Sequence, residues 1–211
     1  MLTVSNISVM NFENAIRGMR NPMNSWDRMD SRTDENGVFV LGENDRQRAA
    51  ALCSAGTPDH RKFIRQILVS LDIDAPLYWW KEFDTYKVGT VANSCSTMHK
   101  IHSRRFSTAD FSCDQLTPES MEHFEAYITY LESVRKKYLA SKSKQNWYDL
   151  IQLLPSSYNQ LRTVTLNYEV LRNMYHARKE HKLREWHVLC DAIAALPYAD
   201  ILITGEDRSA Q

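Results

Sequence analysis

The chain has 211 residues, enough for one domain of ordinary size with a sizeable core. Its 26 lysines and arginines balance 26 aspartates and glutamates, so no global field favours duplex DNA or an acidic membrane surface, and recognition falls to local sites. A hydrophobic content of 43 % excludes a disordered chain. Cys53, Cys95, Cys113 and Cys190 form no Cys-x-x-Cys pair, which argues against a zinc ribbon and against a secreted disulfide framework. With no charged-then-apolar leader and no apolar run near about 18 residues, neither export nor membrane spanning is expected, and a reduced, cytoplasmic protein is.

Val4, Ile7 and Val9 give an early strand with imperfect alternation, and Phe12–Met19 a helix that stops at Asn21-Pro22. Residues 24–37, rich in Asp, Asn, Ser and Arg, read as a loop. A short strand over 38–41 and a helix over 43–55 closed by Gly56 follow. After a turn at Thr57-Pro58, His60, Arg61, Lys62 and Arg65 crowd cations into a run of the kind that is usually a solvated face. Ile67, Val69, Leu71 and Ile73 alternate strictly, which predicts a strand with one buried side. Pro76 opens a helix carrying Tyr78, Trp79, Trp80, Phe83 and Tyr86, either core filling or a platform for a planar ring such as a flavin or a base. Gly89 and the string Thr90, Asn93, Ser94, Ser96, Thr97 then break regularity and supply hydroxyl and amide partners.

Thr117-Pro118-Glu119-Ser120 is a helix start, and Met121, Phe124, Ile128, Leu131 and Val134 carry the helical repeat down to Tyr138. A polar break over 142–145 precedes a short helix over 147–154 stopped by Pro155. A strand over 164–166 enters the helix Tyr168–Arg178, and a final amphipathic helix over 181–196 ends at Pro197. The whole reads as one domain over 1–204 with a frayed tail over 205–211.

His99 and His102 stand three apart, but no carboxylate or cysteine accompanies them at ligand spacing, so no metal site is expected. Cys95 sits in a polar loop beside Asn93 and Ser96, an exposed thiol with no assigned base. There is no glycine-rich phosphate loop, so a phosphate would fall to Arg61, Arg65, Lys87, Arg162 and Arg178. Asn167, Leu171, Asn173 and Arg178 are read as one helical phase. Such a mixed face suits an anionic ligand, but by pattern alone it is more often a half-buried helix whose polar groups touch solvent or cap loops.

Leu154-Pro155 followed by Asn167, Leu171, Asn173 and Arg178 resembles the end of the flavin-dependent thymidylate synthases, the ThyX family, where a Leu-Pro segment leads into an Asn-Ala-Arg-Ser-Leu helix ending in Leu-Arg. The spacing from Pro155 to Arg178 is similar without a gap, and Gly56 with the loop Asn93 to Ser96 resembles the family's glycine turn and the latter part of its RHRx7S motif. The resemblance touches residues 50–200 and implies an α+β, ThyX-like fold: a central antiparallel or mixed sheet flanked by helices, with a long helical C-terminal half. It implies a homotetramer that binds FAD and a deoxyuridine nucleotide and carries a one-carbon unit from methylenetetrahydrofolate to C5 of uracil with NADPH hydride. By position, Arg178 would contact the pyrimidine; Asn167, Asn173, Tyr86 and His60 would face FAD; and Ser96, Lys87, Asn93 and Arg162 would hold the nucleotide.

Three positions depart from the family pattern. Thr85, Tyr86 and Lys87 replace the RHR triplet, with one extra residue before Ser96; Ile151 replaces an arginine four residues before the proline; and Glu169 replaces the arginine of Asn-Ala-Arg. Lysine does not reproduce a bidentate arginine contact to phosphate, and isoleucine removes it. The resemblance therefore carries a second expectation, a catalytically altered or inactive member serving as a nucleotide-binding or interaction module.

Overall fold

The computed structural model describes residues 1–205; of the tail expected over 205–211, all but Gly205 lies outside the described residues. The chain is α+β, as expected. Strand β1 (Thr3–Met10) leads through Asn11, held left-handed at φ 73°, into helix α1 (Phe12–Met19). Phe12, Ala15, Ile16 and Met19 recur at helical spacing and are buried, so the helix's apolar stripe is the face that packs. The segment read as a loop over 24–37 holds a 3-10 turn, Trp26–Arg28, and strand β2 (Arg32–Thr33). Strand β2 pairs antiparallel with β3 (Phe39–Val40), Arg32 opposite Val40. The turn between them is closed by the Asp34 carboxylate, which accepts from the backbone N–H groups of Asn36 and Val38 at 2.9 and 2.8 Å.

Helix α2 (Glu43–Cys53) follows, then a 3-10 helix, Lys62–Gln66, and strand β4 (Leu68–Pro76), whose strict alternation buries Val69, Leu71, Ile73 and Ala75. Pro76 enters α3 (Leu77–Phe83), which is followed by strand β5 (Val91–Ser94). Helix α4 (Pro118–Ser141) is capped by Thr117, and α5 (Lys144–Gln152) by Ser143, each hydroxyl accepting a backbone N–H of the first turn. The polar residues 142–145 are thus the end of one helix and the start of the next, because cap residues and break residues look alike in sequence. Strand β6 (Asn159–Asn167) is longer than expected, since Gln160, Arg162 and Thr163 interrupt its apolar pattern. Helix α6 (Tyr168–Arg178) has the expected bounds. The last expected helix is shorter, α7 (Arg184–Ala194), because His181 Nδ1 accepts from Leu183 N at 3.1 Å and holds the approach out of the helix. Beyond Pro197, Tyr198 turns left-handed at φ 57° and starts an additional short helix, α8 (Ala199–Leu202). The main sheet is antiparallel, in the order β1-β4-β6-β5.

The chain divides into two compact units, one of residues 1–3, 72–85 and 92–163, the other of 4–71, 86–91 and 164 onward. In the first, Ile101, Phe106, Phe111, Ile128, Leu131, Val134 and Leu150 form one core, with α4 packed on α5. Trp79, Trp80 and Phe83 are buried and pack on one another with ring centroids 5.0–5.1 Å apart, so these aromatics are core rather than a platform for a ligand. In the second, α1 packs on α2, and α7 packs on both α6 and α8. Asp45, fully buried on α2, accepts from Arg20 Nε at 2.8 Å and from the backbone and hydroxyl of Ser31 at 2.9 and 2.7 Å. Buried Arg172 donates to the carbonyls of Leu202, Ile203, Gly205 and Cys53, satisfying chain ends that a helix leaves open. No described helix is long and apolar enough to cross a membrane, and the described residues hold no metal-ligating group of three.

Candidate functional site

Helix α6 is anchored at its start by Asn167, whose side-chain oxygen accepts from Val170 N at 3.1 Å. Across from this cap runs the segment 86–91. Gly89, at φ +76°, passes so close that an added Cβ would lie 3.0 Å from Asn167 Nδ2 and 3.3 Å from a Val170 methyl. Only glycine has both the backbone freedom and the missing side chain this approach demands. Asn167, expected as a flavin contact, therefore serves as a helix cap packed beside Gly89.

Arg178 closes the other end of α6, half-buried. Its Nε donates to the Tyr86 hydroxyl at 3.0 Å, and its guanidinium carbon lies 5.7 Å from the Tyr86 ring centre and 4.6 Å from that of Trp186 on α7. Trp186 is fully buried, 6.0 Å from Tyr86 and 6.2 Å from His181, both edge-on. The cation therefore sits on aromatic faces, whose negative charge attracts it. Of the residues expected at a ligand, Tyr86 and Arg178 are brought into direct contact.

The expected common face of Asn167, Leu171, Asn173 and Arg178 is corrected. At about 3.6 residues per turn, Asn173 stands roughly 120° round the rod from Asn167. It is exposed, while Leu171, Arg172 and Met174 are buried. His60 and Lys87 are exposed in the same unit. Arg61, read as one of a solvated run and as a phosphate candidate, is buried, its Nε donating to both Glu169 carboxylate oxygens at 3.3 and 3.2 Å. That pair accounts for Glu169: the negative charge at this position meets a cation supplied from 108 residues away.

The first unit holds the remaining candidates. Asn93 is exposed on the edge strand β5. The Ser96 hydroxyl accepts from Met98 N and His99 N at 3.2 and 3.0 Å, which makes it the staple of a turn. Cys95 is exposed, its backbone fixed by Leu161 O and by the Gln160 amide. Arg162 donates to Gln160 Oε1 at 3.0 Å and to Asp84 at 2.8 Å, and its guanidinium lies 4.1 Å from the Trp80 ring centre. It is committed to the fold on three sides.

Sequence reading missed the partners that shape these groups: Trp186 for Arg178, and Glu169 for Arg61. Trp186 lies on an apolar stripe like any core residue, and nothing local marks it as facing an arginine. It also missed a groove of about 980 Å³ in the second unit, walled by Phe12, Phe39, Leu196 and Tyr198 with Asn11 and Glu13 at its rim, which none of the expected site residues lines.

No family model matches the chain, and no curated protein is similar to it in sequence. Solved structures are. Thymidylate synthase X from Helicobacter pylori, determined with FAD and dUMP, superposes with a TM-score of 0.71 over 97 % of this chain and 98 % of that one, at 16 % identity. A second structure of the flavin-dependent enzyme from that organism, complexed with FAD and dUMP, gives 0.68 over 95 % and 98 %, again at 16 % identity. The fold is ThyX-like throughout.

Proposed function

We propose that this protein binds a deoxyuridine nucleotide and FAD, and is a divergent flavin-dependent thymidylate synthase-like enzyme transferring a one-carbon unit to C5 of the nucleotide. The observation that carries the reading is the likeness along the whole chain to structures that hold FAD and dUMP, joined to an arginine held on aromatic faces at the end of α6. A guanidinium offers fixed in-plane donors, which suits a ligand with carbonyl oxygens in one plane. The exposed amide of Asn173 and imidazole of His60 are groups that fit a flavin's carbonyls and ring nitrogens. When bound, FAD supplies hydride transfer. The chain's own part is to bind and orient, with Arg178 on the pyrimidine and the exposed Lys87 on phosphate. NADPH and methylenetetrahydrofolate as co-substrates, a homotetramer and a cytoplasmic location belong to the same proposal.

A specific observation favours the alternative, a catalytically altered protein that keeps nucleotide binding or an interaction role. Arg61 and Arg162, two cations that would replace the missing phosphate contacts, are neutralised inside the fold by Glu169 and Asp84. Purified protein is expected to carry a flavin absorbance band or to gain thermal stability with added FAD, and then to bind dUMP. Tritium release from dUMP labelled at C5 separates the two readings, since only the enzyme produces it. Protein that stays colourless and shows no shift with FAD or dUMP overturns the enzyme and the nucleotide-binding role alike.

A further inference from the structure

We infer that Tyr86 is a positioning residue for Arg178, holding that guanidinium in the orientation in which it meets the nucleotide; the inference rests on the nucleotide reading above. An arginine side chain carries several rotatable bonds, and a free one must be ordered at the moment of binding. Arg178 is ordered beforehand. The Tyr86 hydroxyl takes the Nε–H at 3.0 Å, and the buried Trp186 ring lies 4.6 Å below the guanidinium carbon, so the hydrogen bond sets rotation within the plane and the ring sets the plane. Trp186 cannot move to follow the arginine: it is fully buried on α7, which packs on α6. Tyr86 is placed by the same segment that Gly89 brings against the start of α6. One short stretch of chain thus touches both ends of the helix, closely packed at Asn167 and hydrogen-bonded at Arg178.

The test is a double-substitution cycle on the full chain saturated with FAD, with the dissociation constant for dUMP read by calorimetry. Tyr86→Phe keeps the ring and removes only the hydroxyl. Ordering one side chain costs an amount equivalent to about three- to tenfold in affinity, so Tyr86→Phe is expected to weaken dUMP binding by that factor. The cycle isolates the part of that loss that runs through Arg178 from any effect of the lost hydroxyl on FAD or on stability. In an Arg178→Ala background the same substitution should have no further effect, because nothing remains to be positioned. Equal weakening in both backgrounds, or a Tyr86→Phe protein that binds dUMP like wild type, overturns the inference while the nucleotide reading stands. Wild-type protein that takes up FAD but no dUMP overturns the nucleotide reading, and this inference with it.

Discussion

Asp45 shows what a single residue contributes when all its partners are found by folding. Its carboxylate is fully buried and accepts from the Arg20 guanidinium, from Asp30 N at 3.1 Å and from both donors of Ser31, which ties the segment before α2 to the end of α1. Removing one partner of a buried ion pair strands the other charge, at a cost of about 3–5 kcal/mol, whereas replacing both by apolar groups of similar size costs far less. Asp45→Ala is therefore expected to lower unfolding free energy by roughly that amount in urea denaturation, and Arg20→Met with Asp45→Leu to recover only the part due to the stranded arginine, because Asp30 N and both Ser31 donors still lose their acceptor. A loss below about 1 kcal/mol for Asp45→Ala would show that Arg20 finds solvent or another acceptor. None of this was legible from sequence. The pair spans 25 residues, and Arg61 with Glu169 spans 108. Periodicity reports which face of an element is apolar, and it carries no information about which charge on one element meets which on another. For the same reason Arg178 was readable as a polar group ending a helix, but not as a cation set between Tyr86 and Trp186.

At the scale of elements, sequence succeeded where a strong period ran between clear stops. Helices α1 and α6 have the expected bounds because an apolar stripe begins after an asparagine and closes at a break. It fell short at β6, where polar residues on the half-buried face mask the alternation, and at α8, a single turn too short to show a period. Helix α4 adds a pH dependence that its sequence only hints at. Glu132 pairs with Arg135 one turn on at 2.7 Å and accepts from Phe106 N at 3.3 Å; the arginine's hydrogen bonds, followed by the backbone one, hold its carboxyl below the usual 4.5, against the opposing effect of burial. A group whose pKa is lowered by folding stabilises the fold above its unfolded pKa and loses that contribution as pH falls through the folded value. Wild type is thus expected to be more stable than Glu132→Gln at neutral pH, with the gap closing as pH drops below 4.5. A gap that stays constant from pH 7 to 3 by chemical denaturation would remove the carboxylate's charge from the account. Nearby His102 works in the same direction at a higher pH. Burial, then Lys142, Lys100 and Arg135, push its imidazole below 6.5, so the unfolded chain takes up its proton first and stability declines as pH falls below 6.5.

At the scale of the whole molecule, 16 % identity with the Helicobacter pylori enzyme is compatible with a shared fold because a fold asks for apolar volume at the right phase more than for particular residues. That is why the fold was legible from a handful of matching positions while the site was not: a fold leaves its chemistry to local groups, whose partners, such as Glu169 for Arg61, are supplied only by folding. The same architecture bears on how the protein unfolds. Residues from β1, β4, β5 and β6 are each shared between the two compact units, so neither unit is a continuous length of chain that ends where the other begins. Separate domains are normally joined by linkers crossed by few contacts; here the chain passes from one unit to the other in the middle of hydrogen-bonded strands. Strands that lose their ladder on one side of such a division lose it on the other, and a single cooperative transition is expected. The tryptophans report on both units, Trp79, Trp80 and Trp147 in the first, Trp26 and Trp186 in the second. Substituting phenylalanine for the half-buried Trp147 and, in a second protein, for the exposed Trp26 shifts the weight of the fluorescence signal between units without removing a buried core side chain. Urea midpoints from both proteins should coincide with each other and with far-ultraviolet circular dichroism. Two separated midpoints, each following the tryptophans of one unit, would mean that the units fold independently.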